Sequence, residues 1–188
     1  IRNARNEGYG GSQKIAYQRC IQQGYKGVVM LHGDAQYAPE LVENILEPIL
    51  KGEADMVFGS RFKGDPLAGG MPLHRYWGNR VLTAIQNKLL GTNLSEFHSG
   101  YRIFSVEALK QVPFEKFSSD YHFDTEIIIA FIEKKLRIAE VPIPTHYGDE
   151  ENYVNIWHYG MNVLVSTLTY WLHKKGWLRS KGWGRIFD

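Results

Sequence analysis

The sequence predicts an α/β protein: a mostly parallel sheet flanked by helices. Three observations predict it. Apolar residues 27–31, an amphipathic stretch at 39–51 and a second apolar run at 55–58 follow one another as strand, helix and strand, the unit from which parallel sheets are built. A third strand-like run at 137–143 follows a helical stretch, repeating the alternation. The first strand, Val28-Val29-Met30-Leu31, stops abruptly at the polar cluster His32-Gly33-Asp34-Ala35-Gln36-Tyr37, and ligands of open α/β sheets collect at the carboxyl ends of strands.

In chain order, the glycine-rich run Gly8-Tyr9-Gly10-Gly11-Ser12 leads into a helix, with Ser12 as a reasonable N-cap and Gly24 at its end. Such a turn either cradles phosphate through free amides or simply enters the helix; no Walker or dinucleotide fingerprint accompanies it. If the strand's extended geometry persists, His32, Asp34 and Gln36 alternate onto one side and face a single point. Pro39 stands at a first helical position, and Leu41, Ile45, Leu46 and Ile49 give that helix its apolar face. Residues 55–58 form a strand ending in Gly59-Ser60-Arg61, and 62–71, with Gly64, Pro66, Gly69 and Gly70, are loop. Helices follow at 72–90, closed by Gly91, and at 121–135; between them the cluster Glu96-Phe97-His98-Ser99-Gly100-Tyr101-Arg102 precedes Ile103-Phe104 and a short helix from Ser105. Pro142 and Pro144 put the last strand at a sheet edge or end it there. Residues 156–172 carry no formal charge and read as helix. The expected division is a domain over 1–150 and a C-terminal aromatic helix with a basic tail over 151–188.

Composition narrows the function classes. An apolar share of 44% and a charged share of 22% belong to a folded chain, and 188 residues suffice for one sizeable core. A net charge of +2 is too small to imply nucleic acid. The charge is uneven: from His173 to Asp188 five Lys and Arg face one Asp, so this tail carries +4 and the remainder −2. The lone Cys20 reads as a small helix residue in a reducing compartment. No run of about 18 apolar residues marks a membrane span, and no secretory signal opens the chain. His74, His98, His122 and His146 are evenly spaced, but their neighbours differ and the spacing reads as chance.

Several ordered motifs together are more specific. The run Arg5-Asn6 to Gly11, then Leu31-His32-Gly33-Asp34-Ala35-Gln36-Tyr37-Ala38-Pro39-Glu40, then Gly59-Ser60-Arg61, then Ser99-Gly100-Tyr101-Arg102, resembles the family 2 glycosyltransferases over about residues 1–147. Within them it looks most like the dolichyl-phosphate mannose synthase branch and its polyprenyl-phosphate relatives. The resemblance implies a GT-A, Rossmann-like fold, a nucleotide-diphosphate sugar donor (UDP- or GDP-linked), a divalent cation (Mn²⁺ or Mg²⁺) and inversion at the anomeric centre. The chain departs from the family pattern at His32, where Asp is usual, and at Glu96, where Asp is usual. It also lacks the family's opening nucleotide-binding strands, as a fragment would.

On this reading Asp34, Gln36 and His32 form the metal site, Asp34 being essential and His32 either a nitrogen ligand, which would tilt preference towards Mn²⁺, or a hydrogen-bond donor behind the ligands. The alternative for Asp34 is a cap on the helix that Pro39 opens. Arg61 and Arg102, with Ser99 and Gly100, bind phosphate from donor or lipid acceptor, the alternative being structural ion pairs. Glu96 and Arg102 join Asp34 as catalytic residues. Asp124 and Glu126 are the other candidate bases, should the acceptor be a hydroxyl that must lose a proton. A polyprenyl phosphate needs no base. The helix over 156–172 and Lys174 and Lys175 suit an anionic membrane surface, with packing against the domain or a second copy of the chain as alternatives. The expected function is transfer of a sugar to a polyprenyl phosphate by a cytoplasmic protein, peripheral at the membrane face. Two alternatives stand beside it: a transferase with a soluble sugar or protein hydroxyl acceptor, and a non-catalytic binding module.

Overall fold

The computed structural model describes residues 3, 5–33, 37–147, 155–178 and 183. Four strands form one sheet: β1 (Gly27–Met30), β2 (Met56–Ser60), β3 (Arg102–Ser105) and β4 (Ile138–Pro142), in the order β1-β3-β2-β4. β2 pairs parallel with β4, whereas β3 runs antiparallel to both β1 and β2. Three strands therefore share one direction, as a mostly parallel sheet requires, and the sheet is mixed because β3 alone among them runs the other way. The reason lies in where β3 begins. Its first residue, Arg102, is paired with Met30, the last residue of β1, and with Phe58 near the end of β2. The chain reaches the carboxyl edge of the sheet through residues 96–101 and runs back from there, so that loop and the end of β1 occupy the same edge.

Helices cover both faces. Pleating sends Met56, Phe58 and Phe104 to one side and Val57 and Ile103 to the other. On the first side they meet α1 (Gly8–Gln22), α4 (Val106–Leu109) and α5 (Phe123–Glu133) through Tyr17, Leu109, Ile127 and Phe131. On the second side α2 (Val42–Leu50) contributes Ile45, which is fully buried. β2 is buried along its whole length, as a central strand with covered faces must be. β4 pairs only with β2 among the described strands and ends at Pro142, where the missing amide hydrogen costs least.

Local signals explain most boundaries. Pro39 opens a 3₁₀ turn (Pro39–Leu41) before α2, and the Ser105 hydroxyl accepts from the Ala108 amide as the cap of α4. Gly91 closes α3 (Leu73–Leu90) in the left-handed conformation, φ 70°. Ser12 is not an N-cap: α1 starts at Gly8, and Ser12 lies inside it. The cause is long-range. The Gly10 amide donates to Ser119 O at 2.9 Å, and a methyl group at Gly10 would sit 2.6 Å from Ser118 O and 2.7 Å from Phe123 Cβ, so the helix start is set by close approach to the segment before α5. The glycine-rich run is thus spent on packing.

The aromatic stretch is α6 (Ile156–Lys174), capped by the Asn155 side chain, which accepts from the His158 amide. It packs on α3 and α5, burying Val163, Thr167 and Tyr170; the Tyr170 hydroxyl donates to Glu133, and Trp183 donates to Ser166 O. Among the described residues no helix is long and apolar enough to cross a membrane.

Candidate active site

At the carboxyl edge, β1 delivers Leu31, His32 and Gly33; Asp34 and Gln36, with Ala35, lie outside the described residues. The His32 ring rests on the backbone of Gly100: a Cβ there would come within 2.4 Å of His32 Cε1 and 2.6 Å of Nε2. Only glycine permits this contact. Tyr9 and Tyr37 stand edge-on to the same ring, both at 5.8 Å between centroids. Each tyrosine also ties the site together. The Gly100 amide donates to the Tyr37 hydroxyl at 3.0 Å, while the Tyr9 hydroxyl lies 3.2 Å from His32 Nε2 and donates to Asp124 Oδ2 at 2.8 Å.

Asp124, in the first turn of α5, is the hub behind this surface. It receives Tyr9, the Gln13 amide at 3.3 Å and the Arg102 guanidinium at 3.3 Å. Arg102 is 1% exposed and spends its other donors on carbonyls: Ser99 O at 2.8 Å, Phe97 O at 2.9 Å and Asp124 O at 3.0 Å. These are the bonds of a clamp that folds residues 97–100 onto α5, not of a fork open to phosphate. Burial, then the Asp124 charge, raises the Tyr9 phenol well above its ordinary range, so it keeps its proton.

Arg61 follows β2 into the same edge and pairs with Glu96. Its Nε and Nη2 meet Glu96 Oε2 at 3.0 and 2.5 Å, and its backbone amide meets Oε1 at 2.5 Å; Nη1 donates to the Tyr147 hydroxyl at 3.0 Å. Glu96 has no exposed surface, whereas the Arg61 side chain keeps 10%. Between the two arginines lies His98, whose Nδ1 is 2.9 Å from the Tyr159 hydroxyl of α6. Burial, then the charges of Arg61 and Arg102, lowers its pKa to about 3, so the ring is neutral. Glu126 stands apart: its carboxylate accepts from the Ser118 amide at 2.7 Å, and burial raises its pKa.

The structure thus brings His32, Ser99, Gly100 and Arg102 together and joins Arg61 to Glu96 beside them. Tyr9, Tyr37, Tyr147 and Tyr159 were not foreseen. Tyr9 and Tyr37 sit inside the quoted motifs, but a sequence carries no signal for a partner 115 positions away, the separation of Tyr9 and Asp124.

Among the described residues no group of three or more His, Cys, Asp or Glu side chains could hold a metal ion.

A mixed sheet covered on both faces, with its polar site at the carboxyl edge, defines the class as a GT-A-type α/β domain, and solved structures agree. Glucosyl-3-phosphoglycerate synthase from Mycobacterium tuberculosis, crystallised with Mn²⁺, UDP-glucose and phosphoglyceric acid, superposes with a TM-score of 0.61 over 96% of this chain and 57% of that one at 20% identity. Mannosyl-3-phosphoglycerate synthase from Rubrobacter xylanophilus gives 0.62 over 93% and 54%, at 15% identity. The glycosyl transferase family 2 model matches residues 1–112, and the chain belongs to that family. The low-salt glycan biosynthesis hexosyltransferase Agl6 of Haloferax volcanii is 32% identical over 90% of this chain and 41% of its own length. The UDP-N-acetylglucosamine–dolichyl-phosphate N-acetylglucosaminyltransferase of Methanococcus voltae is 32% identical over 79% of this chain and 59% of its own. Polyprenol monophosphomannose synthase of Mycolicibacterium smegmatis is 27% identical over 72% and 51%. The chain spans between 41% and 59% of the length of these relatives.

Proposed function

We propose that this chain is part of the catalytic domain of an inverting, metal-dependent glycosyltransferase that moves a sugar from a nucleotide-diphosphate sugar to a polyprenyl phosphate. The observation that carries the acceptor class is the state of the site's carboxylates. Glu96 is locked by Arg61, and Asp124 by Arg102, Tyr9 and Gln13. A hydroxyl acceptor needs a base to take its proton, and among the described residues both of these carboxylates are already held by a guanidinium. A phosphate acceptor arrives ionised: its oxygen attacks the anomeric carbon, the bond to the donor's diphosphate breaks, and no proton moves. The names of the Methanococcus and Mycolicibacterium relatives support the same acceptor.

In this reading Asp34, Gln36 and His32 hold the cation. Bound there, it neutralises the charge of the departing diphosphate. Arg61, the arginine with an accessible edge, faces phosphate, and Glu96 positions it. Arg102 shapes the Ser99-Gly100 turn on which His32 rests. The acid-free, aromatic faces of α3 and α6 support a peripheral membrane contact beside the acceptor site, since Tyr159 of α6 touches His98.

The test uses the full-length protein with Mn²⁺, UDP- and GDP-sugars, and either polyprenyl phosphate or hydroxyl acceptors. The expected product is a glycosyl phosphopolyprenol, and Asp34→Ala abolishes it without lowering the thermal midpoint. Transfer to hydroxyl acceptors alone, or full turnover by Asp34→Ala, sinks the reading.

A further inference from the structure

The segment after β4 is laid onto the loop that carries Arg61. The Ile143 amide donates to Ser60 O at 3.0 Å and the Tyr147 amide to Gly69 O at 2.9 Å, so residues 143–147 follow that loop along its length. Two glycines admit the contact: a Cβ on Gly64 would lie 2.8 Å from Ile143 O, and one on Gly69 would collide with Thr145 O. The segment ends by setting the Tyr147 hydroxyl 3.0 Å from Arg61 Nη1. A guanidinium offers no acceptor, so in this bond the phenol oxygen accepts and its own proton points elsewhere. None of the described residues receives that proton. Burial raises the Tyr147 phenol above its ordinary range despite the Arg61 charge, so the hydroxyl keeps its hydrogen. Arg61 also has donors to spare. Of its five N–H groups, Nε and one on Nη2 go to Glu96 and one on Nη1 goes to Tyr147, which leaves one on each terminal nitrogen.

We infer that Tyr147 is a phosphate-binding residue, its hydroxyl donating to the same phosphate group that Arg61 meets with its remaining hydrogens. The idea rests on the proposed function, which gives Arg61 to phosphate, and deepens it by naming a second donor. That donor matters because Glu96 balances the charge of Arg61, so the pair holds an anion through oriented hydrogens rather than through net charge. The phenol adds such a hydrogen, and donation from Arg61 into its oxygen polarises the O–H and makes it a stronger donor. The donor's diphosphate and the lipid acceptor's phosphate present the same oxygens, and titrating each separates them.

The experiment titrates full-length protein, wild type and Tyr147→Phe, in the presence of Mn²⁺, with inorganic pyrophosphate, UDP and GDP on one side and a short-chain polyprenyl phosphate on the other. Losing a hydrogen bond to a charged group is expected to weaken one of these two sets about 10-fold. Weaker pyrophosphate and nucleotide binding assigns Tyr147 to the departing diphosphate; weaker polyprenyl phosphate binding assigns it to the acceptor. Two replacements of tyrosine's shape separate donation from merely holding Arg61. Tyr147→4-aminophenylalanine still donates but accepts poorly, and is expected to bind close to wild type; Tyr147→4-fluorophenylalanine donates nothing, and is expected to behave like Tyr147→Phe. Equal binding by wild type and Tyr147→Phe overturns the inference, as does an amino variant no better than the fluoro variant, or a wild type that binds none of the ligands. Sugar transfer assayed in parallel keeps the two readings apart: a wild type that binds phosphate through Tyr147 yet transfers nothing to polyprenyl phosphate defeats the proposed function and leaves this inference standing.

Discussion

Gly100 is the residue on which the site's geometry is most finely balanced. Its amide is held by Tyr37 and its α-carbon supports the His32 ring, so a single added methyl group has nowhere to go but into the imidazole. His32 stands at the end of a strand and can swing away, hence Gly100→Ala should fold nearly as well as wild type while misplacing the ring by about 1 Å. Displacements of that size cost on the order of 10²-fold in turnover. Transfer assays beside thermal unfolding check this, and equal turnover would show that His32 is not part of the machinery. His98 makes a second residue-scale prediction, of opposite kind. Its folded pKa is lowered to about 3 by burial and by the two arginines. Unfolding lets it bind a proton below the ordinary value of about 6.5, so the unfolded state holds more protons in that window. Stability is therefore full above about pH 6.5 and falls by about 1.4 kcal/mol per pH unit below it, until the folded pKa is reached. Denaturant melts of wild type and His98→Gln between pH 7 and pH 5 should differ by that slope, on the order of 2 kcal/mol over the interval; parallel curves would refute a neutral, buried ring.

At the scale of elements, the Arg61–Glu96 pair joins the end of β2 to the loop that starts β3. Glu96→Gln leaves a guanidinium buried without its counter-charge and should cost about 3–5 kcal/mol. The apolar double variant Arg61→Met, Glu96→Leu should recover most of that stability and none of the transfer, because the group proposed to face phosphate is gone. Thermal midpoints and turnover of the three proteins measure it; a double variant as unstable as the single would mean that the pair does more than hold the loop. The elements themselves differ in how far the chain's local order announces them. β1, α2, β2 and α6 follow from periodicity and from Pro39, because their apolar faces are local patterns. The direction of β3 does not, since Ile103-Phe104 has no orientation until Arg102 is placed against Met30. The start of α1 is hidden for a similar reason: Gly8 to Gly11 enter the helix because the segment at 118–119 needs their room. The site divides the same way. His32, Gly100 and Glu96 are found by motif, but the commitments of Arg102 and Arg61 depend on Asp124, Phe97 and Tyr147, which only the fold brings near.

For the whole molecule, the surface of α3 and α6 is where the proposed membrane contact can be tested. Neither helix contains Asp or Glu. They pack side by side, yet each leaves an apolar stripe in water: Leu73, Trp77 and Val81 on α3, Trp157, Met161 and Val165 on α6, with Trp157 86% exposed. Arg75, Arg80 and Lys88 share α3, Lys174 ends α6 and Lys175 follows it. Such a face pairs tryptophan with positive charge, the combination that settles at the headgroup level of an anionic bilayer. A second copy would bring its own positive charge to the same face, and the like charges would oppose docking. The full-length protein, freed of any membrane segment it carries elsewhere, should therefore cosediment with vesicles containing anionic phospholipid and much less with neutral ones, and salt should release it. Each Lys near the surface is worth about 1 kcal/mol, so Lys88→Ala with Lys175→Ala should weaken binding about 30-fold. Trp77→Ala with Trp157→Ala should weaken it on both kinds of vesicle and leave the salt dependence intact, because those rings contribute burial rather than charge. Equal binding of wild type and the tryptophan variant, or a concentration-dependent dimer that dissociates when Trp77 and Trp157 are removed, would move this face from the membrane to a partner subunit.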